Sequence, residues 1–243
     1  MQDIKEVVKE KYSKIAIEVK QEGCCGSEAA TTNCMAENYN PEEIADVEIA
    51  NLGLGCGTPT AFADLKEGMT VLDLGSGAGI DVFIASKYVG STGKVIGLDM
   101  TQEMIARAEE NAKKLGITNV AFKLGEIEKM PIESATVDRV ISNCVLNLVP
   151  DKGKAFVEIY RVLKTNGEFI ISDIVSTGTM PDDVRKSAEL WAGCVAGAMD
   201  KDEYLALIKR AGFKEVQILK EKKYDEYSSD HFALLSVTIR GKK

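Results

Sequence analysis

Six cysteines, Cys24, Cys25, Cys34, Cys56, Cys144 and Cys194, are the residues of this chain best suited to soft-ligand or redox chemistry, because a thiolate is both a nucleophile and a soft donor. None of them forms a Cys-x-x-Cys pair, and the chain holds one histidine, His231. Zinc-ribbon knuckles and Cys2His2 fingers are therefore excluded. A second pattern is Gly75-Ser76-Gly77-Ala78-Gly79, which directly follows Val71-Leu72-Asp73-Leu74. Small residues let the backbone approach a ligand, and the N–H groups of a following helix face it. The spacing is Gly-x-Gly-x-Gly with an acid two residues before the first glycine, not the dinucleotide spacing Gly-x-Gly-x-x-Gly. A tight turn with no ligand would show the same run, so its neighbours decide. Asp99 lies 20 residues beyond Gly79, near the spacing at which a carboxylate takes the two hydroxyls of a ribose. A carboxylate there also suits a plain helix N-cap.

The elements that must position these groups are legible as alternating strands and helices. Residues 2–20 read as an amphipathic helix, with apolar positions near helical spacing. The stretch GCCGSEAATTNCMAENYN is polar and rich in small residues, so residues 21–40 are expected to be a mobile loop. PEEIADVE is a short helical turn, and Cys56 follows in a loop with Gly53, Gly55 and Gly57. Strands are predicted at 71–74, 94–99, 120–124, 137–142 and 168–173, with helices over 80–88, 101–115 and 151–163 between them. Gly116 and the pair Asn166-Gly167 read as left-handed helix stops. Beyond the fifth strand, two helices flank a small-residue hinge at 192–198 that contains Cys194. The tail reads as two alternating strands that form an antiparallel pair. Such alternation implies an α/β fold with a doubly wound, mostly parallel sheet, right-handed crossovers and helices on both faces. Ligands of such sheets sit outside the carboxyl ends of the strands. Gly75 to Gly79, Asp99, Glu126 and Cys144 each follow one of those ends.

Composition narrows the function classes. The chain has 243 residues, 45% hydrophobic and 28% charged, which suits one α/β domain with a decorated edge. Its net charge of −8 argues against a nucleic-acid surface, and no apolar run reaches the length of a membrane span. The charged N-terminal segment does not read as a secretory signal. A cytoplasmic location follows as an expectation, and with it cysteines that rest as thiols rather than structural disulfides.

LDLGSGAG, VIGLDM, the pair Glu126-Ile127, and AFVEIYRVLKTNGEFIISD resemble the ordered motifs of class I S-adenosylmethionine-dependent methyltransferases. The resemblance covers about residues 60–175 and extends through the terminal pattern. It implies a seven-stranded sheet whose last strand is antiparallel, with S-adenosyl-L-methionine as methyl donor. It places Gly75, Ser76 and Gly77 along the methionine part and Asp73 beneath the amino group. By the same resemblance Asp99 binds the ribose, Met100 covers the adenine, Glu126 and Ile127 edge it, and Asn143 touches the methionine moiety.

The acceptor is open at this point. Carbon and oxygen acceptors commonly need a general base near the sulfonium methyl, and His231 falls in the terminal strand region, remote from the strand-four end. Cys144 sits where the acceptor belongs, and Cys56 and Cys194 flank the same edge. Three thiolates in a shallow pyramid suit trivalent arsenic, whose remaining lone pair can attack a methyl held in line at about 3 Å. LGLGCGTPTAFADLKEGMTVLDLGSGAGID, ISNCVLNLVPDK, WAGCVAGA and the upstream CCG loop resemble arsenite methyltransferases from about Tyr12 to Phe213. That resemblance implies Cys144 and Cys194 as arsenic ligands, Cys56 as ligand or relay thiol, and Cys24 or Cys25 as relay. It further implies arsenite or its thiol conjugates as substrate, and a thiol reductant such as thioredoxin or glutathione as partner. Residues 1–60 would then cap the site and 61–243 form the methyltransferase domain. The sequence departs from the family at Ser13, at Thr58 and in lacking the long cysteine-bearing C-terminal extension of larger members, and it gives Cys34 no role. Two other readings stay open: a methylase of a carbon or oxygen acceptor, and an arsenite-binding protein without turnover.

Overall fold

The computed structural model describes residues 4–18, 39, 41–180, 197–229 and 231–243. Cys24, Cys25, Cys34 and Cys194, the expected mobile loop apart from Tyr39, and most of the expected hinge lie outside the described residues. The described elements begin with α1 (Ile4–Glu18) and α2 (Pro41–Ile44). They continue through β1 (Thr70–Leu74), α3 (Ile80–Val89), β2 (Lys94–Asp99), α4 (Gln102–Leu115), β3 (Val120–Leu124) and β4 (Val137–Asn143). After these come α5 (Lys152–Val162), β5 (Leu163–Gly178), β6 (Met199–Asp200), α6 (Lys201–Arg210), β7 (Lys214–Ser229) and β8 (Phe232–Lys242).

The strands form one sheet in the order β3-β2-β1-β4-β5-β8-β7, with β6 pairing β5 off that path. β1 to β5 run parallel, and β8 lies antiparallel to both β5 and β7. The expected doubly wound α/β sheet with an antiparallel terminal pair is present. The order reverses between β1 and β4, so the carboxyl ends of these two central strands flank a crevice.

Alternation along β1 shows how the two faces are filled. Leu72 and Leu74 enter one core with Phe156 and Ile159 of α5 and Tyr204 of α6, while Val71 enters the other with Val82 and Phe83 of α3. Each of these apolar side chains is fully buried, worth roughly 1.5–3 kcal/mol against exposure. On the α5 side the rings lock edge to face, with Phe169 and Phe213 centred 4.7 Å apart and Phe156 and Tyr204 5.4 Å apart. Side chains on the carboxyl edge are thereby fixed to a rigid base.

Two boundaries differ from expectation. Helix α5 ends at Val162, not at Asn166-Gly167, because Leu163 is already extended. Asn166 does take a left-handed φ of 63°, but as a bend inside β5. Strand β5 runs to Gly178 rather than Asp173, because β8 pairs with it continuously from Glu168 to Gly178. The added stretch, Ile174-Val175-Ser176-Thr177-Gly178, opens on two fully buried β-branched residues that suit a strand. β6 is a further short strand at the edge of the hinge region.

Candidate active site

A cavity opens at the carboxyl edge of the central strands. Its wall takes Asp73, Gly75, Ser76 and Gly77 from the first turn, Asp99 and Met100 after β2, Glu126 and Ile127 after β3, and Asn143 and Cys144 after β4. Every residue to which the sequence assigned cofactor contact thus borders one space. Helix α1 closes it from above with Lys5, Val8 and Tyr12. The helix is held there by a hydrogen bond from Arg107 Nη1 to the Ala16 carbonyl (2.9 Å), and by one from Ser13 Oγ to Glu103 Oε2 (3.0 Å). Lys5 Nζ lies 2.8 Å from Glu126 and 3.0 Å from Glu128, tying α1 to the loop after β3.

The glycine turn is shaped by close approach. Gly75 has φ +64°, and a Cβ there would lie 2.5 Å from Val145 Cγ2. The turn can therefore run against the segment carrying Cys144 only without a side chain. Asp99 bridges the turn and the start of α4: its Oδ2 accepts the Gly77 N–H (2.9 Å) and its Oδ1 the Thr101 N–H (2.9 Å). The Thr101 hydroxyl and the Met100 N–H also bond to this carboxylate, and these bonds work against the raising effect of its burial.

Two residues on the wall carry no sequence signal that spacing alone would reveal. Tyr39 Oη donates to Asp81 Oδ2 (2.8 Å), and Asp81 lies in the first turn of α3. The one hint is a lone acid in the otherwise apolar beginning of that helix. Burial raises the Asp73 carboxyl well above its ordinary range, with Asp81 and Asp99 adding repulsion. Burial likewise lifts Asp81 to about 6, against the lowering effect of its bonds to Tyr39 and Asn143. A group of buried acids invites a cation.

Asn143 closes β4 and reaches across to the Cys56 loop. Its Oδ1 accepts the N–H groups of Cys56 (3.0 Å) and Gly57 (3.1 Å). Its Nδ2 donates to the Gly57 carbonyl and to Tyr39 Oη, both at 2.8 Å, and stands 3.2 Å from Asp81 Oδ2. The glycines around Cys56 follow from this docking, since a Cβ on Gly57 would lie 2.5 Å from the Ser172 side chain. Ser236 Oγ fixes the Cys56 carbonyl at 2.9 Å.

Cys56 and Cys144, 88 residues apart, are joined as a disulfide with Cα atoms 5.6 Å apart. This corrects the expectation that all cysteines rest as thiols. Compartment argues about the bulk reductant, whereas the docked loop sets the concentration of one sulfur at the other, and the Cα separation falls within the disulfide range. The pair is buried in an apolar cluster with Val8 of α1, Leu148 and Ile174, and Met100 packs against it. Cys144 borders the cavity and Cys56 lies directly behind it. No group of three cysteine, histidine or carboxylate residues among the described residues is placed to hold a metal ion. His231 sits between β7 and β8, its carbonyl accepting the Thr179 N–H (3.1 Å), and it does not border the cavity. No helix among the described residues is long and apolar enough to cross a membrane.

A methyltransferase-domain family matches residues 65–212, which hold β1 to β6 and most of the cavity wall. The arsenite methyltransferase of Halobacterium salinarum is 42% identical across all of this chain, which spans 67% of that protein. The chain belongs to the arsenite methyltransferase family. The human arsenite methyltransferase is 39% identical over 68% of the chain, which covers 46% of the human protein. An arsenic(III) S-adenosylmethionine methyltransferase from Chlamydomonas reinhardtii has a similar crystal structure, with a TM-score of 0.71 and 32% identity. That likeness covers 87% of this chain and 73% of the algal one. The cavity of this family member suits the methyl donor named for the algal enzyme. Ser76 Oγ and Asp81 Oδ1 are buried on its wall without a hydrogen-bond partner, and the carboxylates oppose a ligand that carries sulfonium and ammonium charges.

Proposed function

We propose that this chain methylates trivalent arsenic held by thiolates of Cys144, Cys56 and Cys194, using S-adenosylmethionine. The observation that carries the reading is the meeting of Cys56 and Cys144 at the wall of the carboxylate-lined cavity. S-adenosylmethionine, when bound, supplies a methyl on a positively charged sulfur, a leaving group that departs as a neutral thioether. Asp99 suits the ribose, Met100, Glu126 and Ile127 the adenine side, and Asp73 with Gly75, Ser76 and Gly77 the methionine part. Asn143 borders that part while holding the Cys56 loop.

The thiolates have three tasks: they bind arsenic as soft ligands, they leave one lone pair on it, and they hold that lone pair toward the cavity. Methyl transfer forms an arsenic–carbon bond, breaks the sulfonium–methyl bond and takes arsenic from the +3 to the +5 state. Two thiols can return the two electrons by joining as a disulfide, as Cys56 and Cys144 are joined here. An external thiol reductant, thioredoxin or glutathione, then restores both thiols. Cys24 or Cys25 would enter the same relay. Residues 1–60 serve as the cap over the site, consistent with α1 across the cavity.

The test is incubation of the reduced protein with arsenite, a thiol and methyl-labelled S-adenosylmethionine. Methylated arsenic is expected. Cys144→Ser and Cys194→Ser should each abolish it while the affinity for S-adenosylmethionine stays nearly unchanged. Methylation at the parent rate by either variant would refute the ligand assignment. Label found in a carbon or oxygen acceptor, with none in arsenic, would refute the function.

A further inference from the structure

We propose that Asn143 is a positioning residue for the thiol pair, holding Cys56 against Cys144 and setting how readily the two sulfurs join. Its place in the chain makes this possible, because it precedes Cys144 and ends β4, so its backbone is fixed by the sheet. Its side chain grips the other partner's backbone. Oδ1 receives the N–H groups of Cys56 and Gly57, and Nδ2 gives one hydrogen to the Gly57 carbonyl and one to Tyr39 Oη. Two lone pairs and two hydrogens complete the capacity of a carboxamide. No other side-chain type of this size offers both an acceptor and two donors in one plane.

The neighbourhood is shaped to admit that amide. A Cβ on Gly55 would lie 2.8 Å from Asn143 Nδ2, so a side chain there would push the amide off the loop. On the opposite side of the loop, Ser236 Oγ is the hydrogen bond that steadies the Cys56 carbonyl. Cys56 is thus held at its N–H by Asn143 and at its carbonyl by Ser236. The balance between dithiol and disulfide depends on the effective concentration of one sulfur at the other, which rigid positioning raises. The amide also touches the cavity wall through Tyr39 and Asp81, so the thiol pair and the methyl-donor cavity share one anchor. The proposal rests on Cys56 and Cys144 acting together, as in the function proposed above, but not on the identity of the acceptor.

The experiment equilibrates the full chain with mixtures of reduced and oxidised dithiothreitol, without arsenic or S-adenosylmethionine. Dithiothreitol gives two electrons and two protons to the Cys56–Cys144 bond and closes to its own cyclic disulfide. Acid quenching, alkylation and mass spectrometry of the Cys56 and Cys144 peptides then give the fraction of each form. Asn143→Ala should shift the equilibrium toward the dithiol by about tenfold, or about 30 mV. Asn143→Asp keeps the shape and the acceptor for both N–H groups, but it loses both donors and sets a second acid about where Nδ2 lies 3.2 Å from Asp81. It should shift the equilibrium the same way by about threefold, and it carries the test if the alanine variant does not fold. Ile208→Val, in the buried core of α6, should lower the melting temperature and leave the equilibrium unchanged. An unchanged equilibrium in a folded Asn143 variant, a shift toward the disulfide, or an equal shift in Ile208→Val would each overturn the proposal. Failure of arsenite methylation would refute the proposed function and leave this result standing.

Discussion

Replacing Gly75 and Gly77 separately by alanine should divide stability from cofactor affinity. Both have left-handed backbones, with φ +64° and +50°, a conformation that costs an alanine about 1–2 kcal/mol. Their surroundings differ. A Cβ on Gly75 would lie 2.5 and 2.6 Å from the two Cγ atoms of Val145, an overpacking worth about 1–3 kcal/mol more. A Cβ on Gly77 would meet nothing within 4 Å except Met104 Sδ at 4.0 Å, and Gly77 borders the cavity. Gly75→Ala should therefore lose about 2–5 kcal/mol of unfolding free energy and displace the segment that carries Cys144. Gly77→Ala should lose only about 1–2 kcal/mol, while its methyl group occupies ligand space and weakens S-adenosylmethionine by at least about tenfold. Urea unfolding gives the first quantity and isothermal titration calorimetry the second. Equal stability losses in the two variants would refute the packing argument. An unchanged dissociation constant in Gly77→Ala would refute the placement of the ligand against the turn.

Asp99→Ala removes the acceptor of two backbone N–H groups as well as the expected ribose partner, so cofactor binding should weaken by about 2–4 kcal/mol. A calorimetric dissociation constant equal to the parent's would sink the ribose role. Burial raises Asp173 to about 7, opposed by Lys152 and by the hydroxyl of Tyr204, which donates to it at 2.9 Å. The folded chain then holds this proton where the unfolded chain, with a pKa near 3.8, has released it. Stability from this group is complete below pH 4 and is lost as pH rises toward 7. Asp173→Asn should reduce the loss of unfolding free energy between pH 5 and pH 8 by about 3 kcal/mol. Parallel pH profiles for parent and variant would show that Asp173 is not the group responsible.

The sheet and the wall of the cavity were legible because they depend on local patterns. Val71, Leu72 and Leu74 are the apolar residues of a strand buried on both faces, and Gly75 to Gly79 holds the small residues of a close turn. The strand ends then brought Asp99, Glu126 and Cys144 to one edge by topology alone. What stayed hidden depends on contacts between distant segments. The reach of β5 past Asp173 is set by its pairing with β8, and Asn166 bends that strand instead of ending α5. Tyr39 and Asp81 meet across 42 residues, and their hydrogen bond leaves no periodic trace. The Cys56–Cys144 bond was missed for a similar reason. Compartment and composition speak of cysteines in general, while the Asn143 amide fixes this particular pair.

The three acids at the cavity, Asp73, Asp81 and Asp99, also bear on turnover. A sulfonium donor brings a positive charge that its thioether product lacks, so methyl transfer subtracts one charge from beside carboxylates that already repel one another. The wall therefore favours the fresh donor over the used one. Asp81, near pKa 6, can take a proton as that charge disappears. Protonation of these acids as pH falls toward 6 weakens the sulfonium donor more than its thioether product, so the ratio of product inhibition constant to donor Michaelis constant should fall there. Loading and unloading of the site become two consequences of a single set of charges.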